Sequence, residues 1–214
     1  MILKKERYND ERAIKKGNSL MLKKVIKEAF PTVLAFTMSG MYSIVDGIFV
    51  GKAAGDTGLA AINIAWPIPA LITALGIGIG TGGSVLYSHY RGRGEQKVCE
   101  NLFELTMTLL IGTGILATIL LSLVQKPFLE ILGAAGSVQT EAIKYTAIII
   151  AGSILQVAGT GIMPLLRNMN QSLGAMLSMA AGFAVNILVN YYLMFRLNMG
   201  IKGAAFGTVT AQAW

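Results

Sequence analysis

The chain has 214 residues, of which 54% are hydrophobic and 14% charged, and its formal net charge is +7. Soluble domains carry about 25% charged residues, so this composition argues against a water-soluble globule and more strongly against a disordered chain. A spanning helix needs about 20 apolar residues, so a chain of this length holds at most about six or seven.

Most of the charge sits at the N-terminus. Residues 1–28 hold nine Lys/Arg (Lys4, Lys5, Arg7, Arg12, Lys15, Lys16, Lys23, Lys24, Lys27) against Glu6, Asp10, Glu11 and Glu28. The body beyond has no basic face on which a phosphate backbone could lie, so nucleic acid is not an expected partner. A basic segment (1–24) ahead of apolar helices reads instead as a cytoplasmic anchor beside anionic membrane lipid, with 25–214 as a transmembrane lobe.

The first apolar stretch, about 29–51, is too long for the core of a cleavable leader and contains one charge, Asp46. The second covers about 58–90, the third 105–125, the fourth 145–166 and the fifth 168–195, all without Asp, Glu, Lys or Arg. A sixth, 203–214, rises about 18 Å as a helix against a bilayer core of about 30 Å. It has no polar face to put in water, so the expectation is an incomplete helix in a longer protein. The fold class expected is therefore all-α and polytopic.

The positive-inside rule supports a cytoplasmic N-terminus. The inner side then holds the tail, Arg91, Arg93 and Lys97, and Arg167; the outer side holds Lys52, Lys126, Lys144, Arg196 and Lys202. Pro31 lies in the first turn of segment one, where its missing N–H matters little. Pro67 and Pro69 fall inside segment two and should kink it. Pro164 lies near the end of segment four. Gly76/Gly80 and Gly78/Gly82 are spaced four apart, as in faces that admit a second helix closely, and Gly83 adds to them. Gly78, Gly80 and Gly83 also form G-x-G-x-x-G, but without the preceding strand that dinucleotide binding requires.

Asp46 is the Asp or Glu that the five full segments contain. A carboxyl group in the hydrocarbon is a functional-site hypothesis by default. Desolvation favours its protonated form and a nearby cation its carboxylate, so one side chain can exchange a proton, a metal cation and an organic cation. The alternative is a residue about 8 Å from the helix end, facing interfacial water. Asn186 and Asn190 lie i, i+4 on one helical face, and carboxamide oxygens suit either a hard cation such as Na⁺ or hydrogen bonding between helices. Thr208 and Thr210 are weaker candidates, because Thr hydroxyls often bond back to their own helix. The Arg91–Glu95 turn reads as solvated, or as a cytoplasmic hinge. Cys99 and His89 each occur once, so no disulfide within the chain or cysteine metal cluster is expected. No nucleophile paired with a base is evident, and no enzyme is expected.

In order along the chain stand Ser43-Ile44-Val45-Asp46-Gly47-Ile48-Phe49-Val50-Gly51, Gly58-Leu59-Ala60-Ala61, Trp66-Pro67, Gly80-Thr81-Gly82-Gly83-Ser84, Ser88, Gly92-Arg93-Gly94, Asn186-Ile187-Leu188-Val189-Asn190-Tyr191 and Gly203-Ala204-Ala205-Phe206-Gly207-Thr208. From about residue 25 onward this set resembles the N-terminal lobe of a multidrug and toxic compound extrusion (MATE) transporter. The resemblance implies two similar six-helix bundles around a cavity, here with the sixth helix incomplete and the C-terminal lobe missing. It implies a plasma-membrane antiporter that exports cationic or amphipathic drugs against Na⁺ or H⁺, with no other cofactor. It assigns ion coupling to Asp46, with Asn186 and Thr208 joining it, as around a bound Na⁺. The family's second carboxylate position is Asn190 here, which leaves Asp46 as the one acid. Two alternatives are a lipid-linked oligosaccharide flippase of the same superfamily, disfavoured because no Lys or Arg lies inside the full segments, and a small non-transporting membrane scaffold.

Overall fold

A computed structural model describes the backbone of residues 2–212 and the side chains of 21–212 apart from 24, 28, 39 and 42. The side chains of the basic segment before residue 21, and the expected helix end at Ala213 and Trp214, lie outside the described residues. The described chain is helical throughout: α1 (Ile2–Ala65), α2 (Pro67–Gly92), α3 (Gln96–Ile131), α4 (Gly136–Ala151), α5 (Ser153–Asn168), α6 (Ser172–Tyr191), a π-helical turn (Tyr192–Arg196) and α7 (Ile201–Gln212).

Two features divide the long N-terminal run. Gly55 has φ 63° and ψ −165°, a conformation that only glycine adopts without strain. The apolar stretch Met21–Gly92 has 72 residues, which as one straight helix would be about 108 Å long, more than three bilayer cores. The break at Gly55 therefore separates two passes, and it falls in the connector expected between segments one and two. At Trp66 the backbone stays helical, and the Ala70 N–H donates to Trp66 O at 3.1 Å. Pro67 and Pro69 supply no N–H for the carbonyls of Asn63 and Ala65, which loosens the ladder where the sequence predicts a kink.

Several boundaries differ from the apolar stretches. The third segment, expected at 105–125, is the middle of a 36-residue helix that includes Lys97, Glu100 and Glu104 and runs through Pro127. Segment four, expected as one helix over 145–166, begins earlier and is two helices bent by 60° at Gly152. At the bend α7 packs closely, and a Cβ on Gly152 would lie 2.6 Å from Cγ1 of Val209. Segment five becomes α6, starting at Ser172, and its last turn widens into the π-helical turn. By length and composition three stretches can cross a membrane, or four with the bent pair taken as one, and the Gly55 break divides the first of them.

The helices form two groups. In the first, α2 packs on α5 and α3. The buried stripe of α2 is Ile68, Ile72, Gly76, Gly80, Ser84 and Tyr87, one residue per turn. Its small members let backbones touch: a Cβ on Gly80 would lie 2.7 Å from Gly161 Cα, one on Gly76 2.7 Å from Val157 O, and one on Gly83 2.6 Å from Thr106 Cγ2. Gly78 and Gly82 meet nothing within 4 Å, so of the two expected glycine faces only Gly76/Gly80 is a packing face. Close packing matters because lipid tails are as apolar as Leu and give little hydrophobic drive between helices.

Polar side chains tie the same group together. Gln156 Nε2 donates to Thr73 Oγ1 at 2.9 Å and to Pro69 O at 3.3 Å, beside the α2 kink. Ser153 Oγ donates to Gly114 O at 3.1 Å. From α3, Gln125 Nε2 reaches α4 outside the group, donating to Ile143 O at 2.8 Å and to Thr146 Oγ1 at 2.6 Å. Arg91 forms no ion pair among the described residues; its Nη1 donates to Asn168 O at 3.4 Å, which closes the C-terminus of α5. The second group is α1, α6 and α7, and α4 packs against α1, α3 and α7 to join the two. Long apolar side chains such as Leu105, Leu109, Leu116, Leu120 and Leu123 face outward, as expected of a lipid-facing surface.

Candidate functional site

The second helix group contains the cluster. Asp46 lies on α1 nine residues before the Gly55 break, and Asn186 and Asn190 project from consecutive turns of α6. Packing of α1 on α6 brings the three together. Asn190 Nδ2 donates to Asp46 Oδ1 at 2.7 Å and to Asn186 Oδ1 at 2.7 Å. One carboxamide thereby uses both of its hydrogens to bridge a carboxylate and a second carboxamide. Asn186 and Asn190 are each 1% exposed, and Asp46 is partly buried.

The other polar atom of the Asn190 carboxamide, Oδ1, is buried without a hydrogen-bond partner. Buried acceptors are nearly always satisfied, so an orphan at a cluster of oxygens is informative. The donor set is one carboxylate and two carboxamide oxygens. These are hard oxygen ligands that suit Na⁺, and the carboxylate alone suits a proton. Among the described residues no group of three or more His, Cys, Asp or Glu could hold a metal ion.

An apolar cluster lies one turn away from the polar one. Val50, Met194 and Ala204 are buried together. They stand four residues beyond Asp46, four beyond Asn190 and four before Thr208. The cluster closes the site on the side of the α1 break and the α6–α7 connector. Phe49 and Phe195 reinforce it with an edge-to-face contact, ring centroids 5.4 Å apart.

Thr208 lies on the α7 face of this group, and its hydroxyl donates to Ala204 O at 3.0 Å within its own helix. Thr210 does the same with Phe206 O at 2.7 Å. The structure thus brings Asp46, Asn186 and Asn190 into one network, and Thr208 stands on the neighbouring helix α7. Sequence reasoning about chemistry passed over Gly207. A Cβ there would lie 2.7 Å from Asn190 Cγ. Its only signal was Gly203 and Gly207 spaced four apart, the small-residue pattern read on α2 and not on α7.

Comparison with known proteins identifies the family. The MatE family model matches residues 31–192. The chain is 22% identical over 210 residues to the multidrug export protein MepA of Staphylococcus haemolyticus, covering 95% of this chain and 45% of that protein. It is 23% identical over 207 residues to MepA of Staphylococcus aureus, with the same two shares. The chain therefore spans about half the length of the curated relatives it matches. Among solved structures, a MATE protein in complex with MaD5 superposes with a TM-score of 0.83 at 26% identity, over 88% of this chain and 42% of that one. A MOP superfamily transporter from Pyrococcus furiosus, described as having a binding pocket of reverse polarity, superposes with a TM-score of 0.79 at 24% identity, over 88% and 41%. With a family match over most of its length and a described chain of apolar helices, the chain belongs to the MatE family of membrane transporters.

Proposed function

We propose that this chain forms the N-terminal lobe of a cation-coupled exporter of cationic or amphipathic small molecules. The observation that carries the reading is the Asp46–Asn190–Asn186 network, a carboxylate and carboxamides held together inside an apolar lobe. Its charge is negative, which favours cations as coupling ion and as cargo over the anionic headgroup that a lipid-linked oligosaccharide flippase must handle. The multidrug export named for the relatives points the same way. A C-terminal lobe completes the cavity, and the whole lies in the plasma membrane with its N-terminus in the cytoplasm.

The mechanism is alternating access. Asp46 binds H⁺ or Na⁺ from one side and exchanges it for cargo presented from the other. The ion drives the cycle only through a difference in its affinity for the two arrangements of the lobe. The apolar Val50–Met194–Ala204 cluster is the barrier that must part when the site opens toward the α6–α7 end. The test is Asp46→Asn in the full-length protein, reconstituted in vesicles with an imposed Na⁺ or proton gradient. Ion-driven efflux is expected to disappear while folded protein is recovered at wild-type yield. Undiminished ion-driven efflux overturns the reading.

A further inference from the structure

We infer that Gly207 is a positioning residue for the Asp46 network, which rests on the reading of that network as the coupling site. Asn190 is the member that orients Asp46. Its amide nitrogen is fixed by two acceptors on one side, Asp46 Oδ1 and Asn186 Oδ1, each at 2.7 Å. On its other side the oxygen has no hydrogen-bond partner and rests against the bare Cα of Gly207. A Cβ at position 207 would overlap Asn190 Oδ1 and lie 2.7 Å from Cγ and 3.4 Å from the backbone N of Asn190.

The atoms that a Cβ at 207 would overlap belong to the Asn190 side chain, and the backbone N of Asn190 is 3.4 Å away. Gly203, one turn earlier on α7, differs: a Cβ there would lie 2.8 Å from Met194 Cγ and also 3.1 Å from Met194 N in the π-helical turn, where backbone must shift. An added methyl at 207 is therefore relieved by turning the Asn190 carboxamide. Turning it takes Nδ2 away from both acceptors, and Asp46 loses its donor. Other tight glycines act on packing, since Gly76 and Gly80 abut the backbone of α5. Gly207 differs because what it makes room for is the side chain that holds the carboxylate.

The test compares wild type, Gly207→Ala, Asn190→Ala, the double variant and Asp46→Asn, each in the full-length protein reconstituted in vesicles. The readout is the coupling-ion concentration giving half-maximal efflux, measured as a Na⁺ series at fixed pH and a pH series without Na⁺. Gly207→Ala is expected to shift it by at least about tenfold, the scale of losing a hydrogen bond to a charged group. Asn190→Ala should do the same, and the double variant should be no worse than Asn190→Ala, because the clash partner is gone. Wild-type values for Gly207→Ala, or additive losses in the double variant, overturn the inference. If Gly207→Ala does not fold, the double variant must; failure of both places the clash elsewhere and also overturns it. Ion-driven efflux retained by Asp46→Asn overturns the coupling-site reading itself. Efflux lost in Asp46→Asn with Gly207→Ala unchanged overturns only the role of Gly207.

Discussion

Asn190 has a larger structural role than the carboxylate it serves. A single NH₂ group satisfies Asp46 and Asn186 at once, and the residue is 1% exposed. Asn190→Leu keeps the branched shape and removes both donors, leaving two acceptor oxygens in the lobe without this partner. Unsatisfied buried polar groups cost about 1–3 kcal/mol each. The expected outcome is a lower thermal midpoint of the purified full-length protein in detergent. The loss should be smaller in an Asp46→Leu background, where one acceptor has gone; equal losses in the two backgrounds would argue against the bridge. The three bridging residues were legible in the sequence because a lone polar residue is conspicuous in an uncharged segment. Gln156, Ser153 and Gln125 were not singled out, although each ties two helices. Their role depends on which helix they face, and spacing within one helix does not contain that.

At the scale of elements, the glycines of α2 separate two properties that sequence merges. Gly78 and Gly80 are two residues apart in the same apolar run, yet an added Cβ meets nothing within 4 Å at Gly78 and lies 2.7 Å from the Gly161 Cα at Gly80. Gly80→Ala must push α2 away from α5, and overpacking of this kind costs about 1–3 kcal/mol. Gly78→Ala should be neutral or stabilising by up to about 1 kcal/mol, since Ala is the better helix former. Thermal unfolding of the two full-length variants in detergent checks the pair, and a similar fall in both would sink the assignment of faces. The same distinction explains which boundaries were legible. Reading uncharged stretches finds the part of a helix that lies in lipid, so segment three was located but α3 continues past Glu104 and Pro127 at its two ends. The bend at Gly152 was not legible, because the side chain packed closely there, Val209, belongs to a helix distant in sequence.

For the whole molecule, the two helix groups divide the work. The α2–α3–α5 group is held by glycine contacts and hydrogen bonds between helices, while the α1–α6–α7 group holds the carboxylate. The Arg91 bond to Asn168 O puts the α2–α3 and α5–α6 connectors at one end of the bundle. Gly55, in the α1 connector, lies toward the end that the Val50–Met194–Ala204 cluster closes. In the proposed orientation, which the positive-inside rule favours, the Arg91 end is cytoplasmic and the apolar cluster is an outer barrier. This orientation can be tested with one natural feature of the chain: its single cysteine, Cys99, is 1% exposed, so newly introduced thiols can be read against a quiet background. Asp56 and Glu95 are both exposed and mark opposite ends. In intact cells expressing the full-length protein, Asp56→Cys is expected to react with a membrane-impermeant maleimide. Glu95→Cys should react only after the cells are permeabilised. The reverse pattern would invert the lobe, and with it the side from which Asp46 must take up its ion.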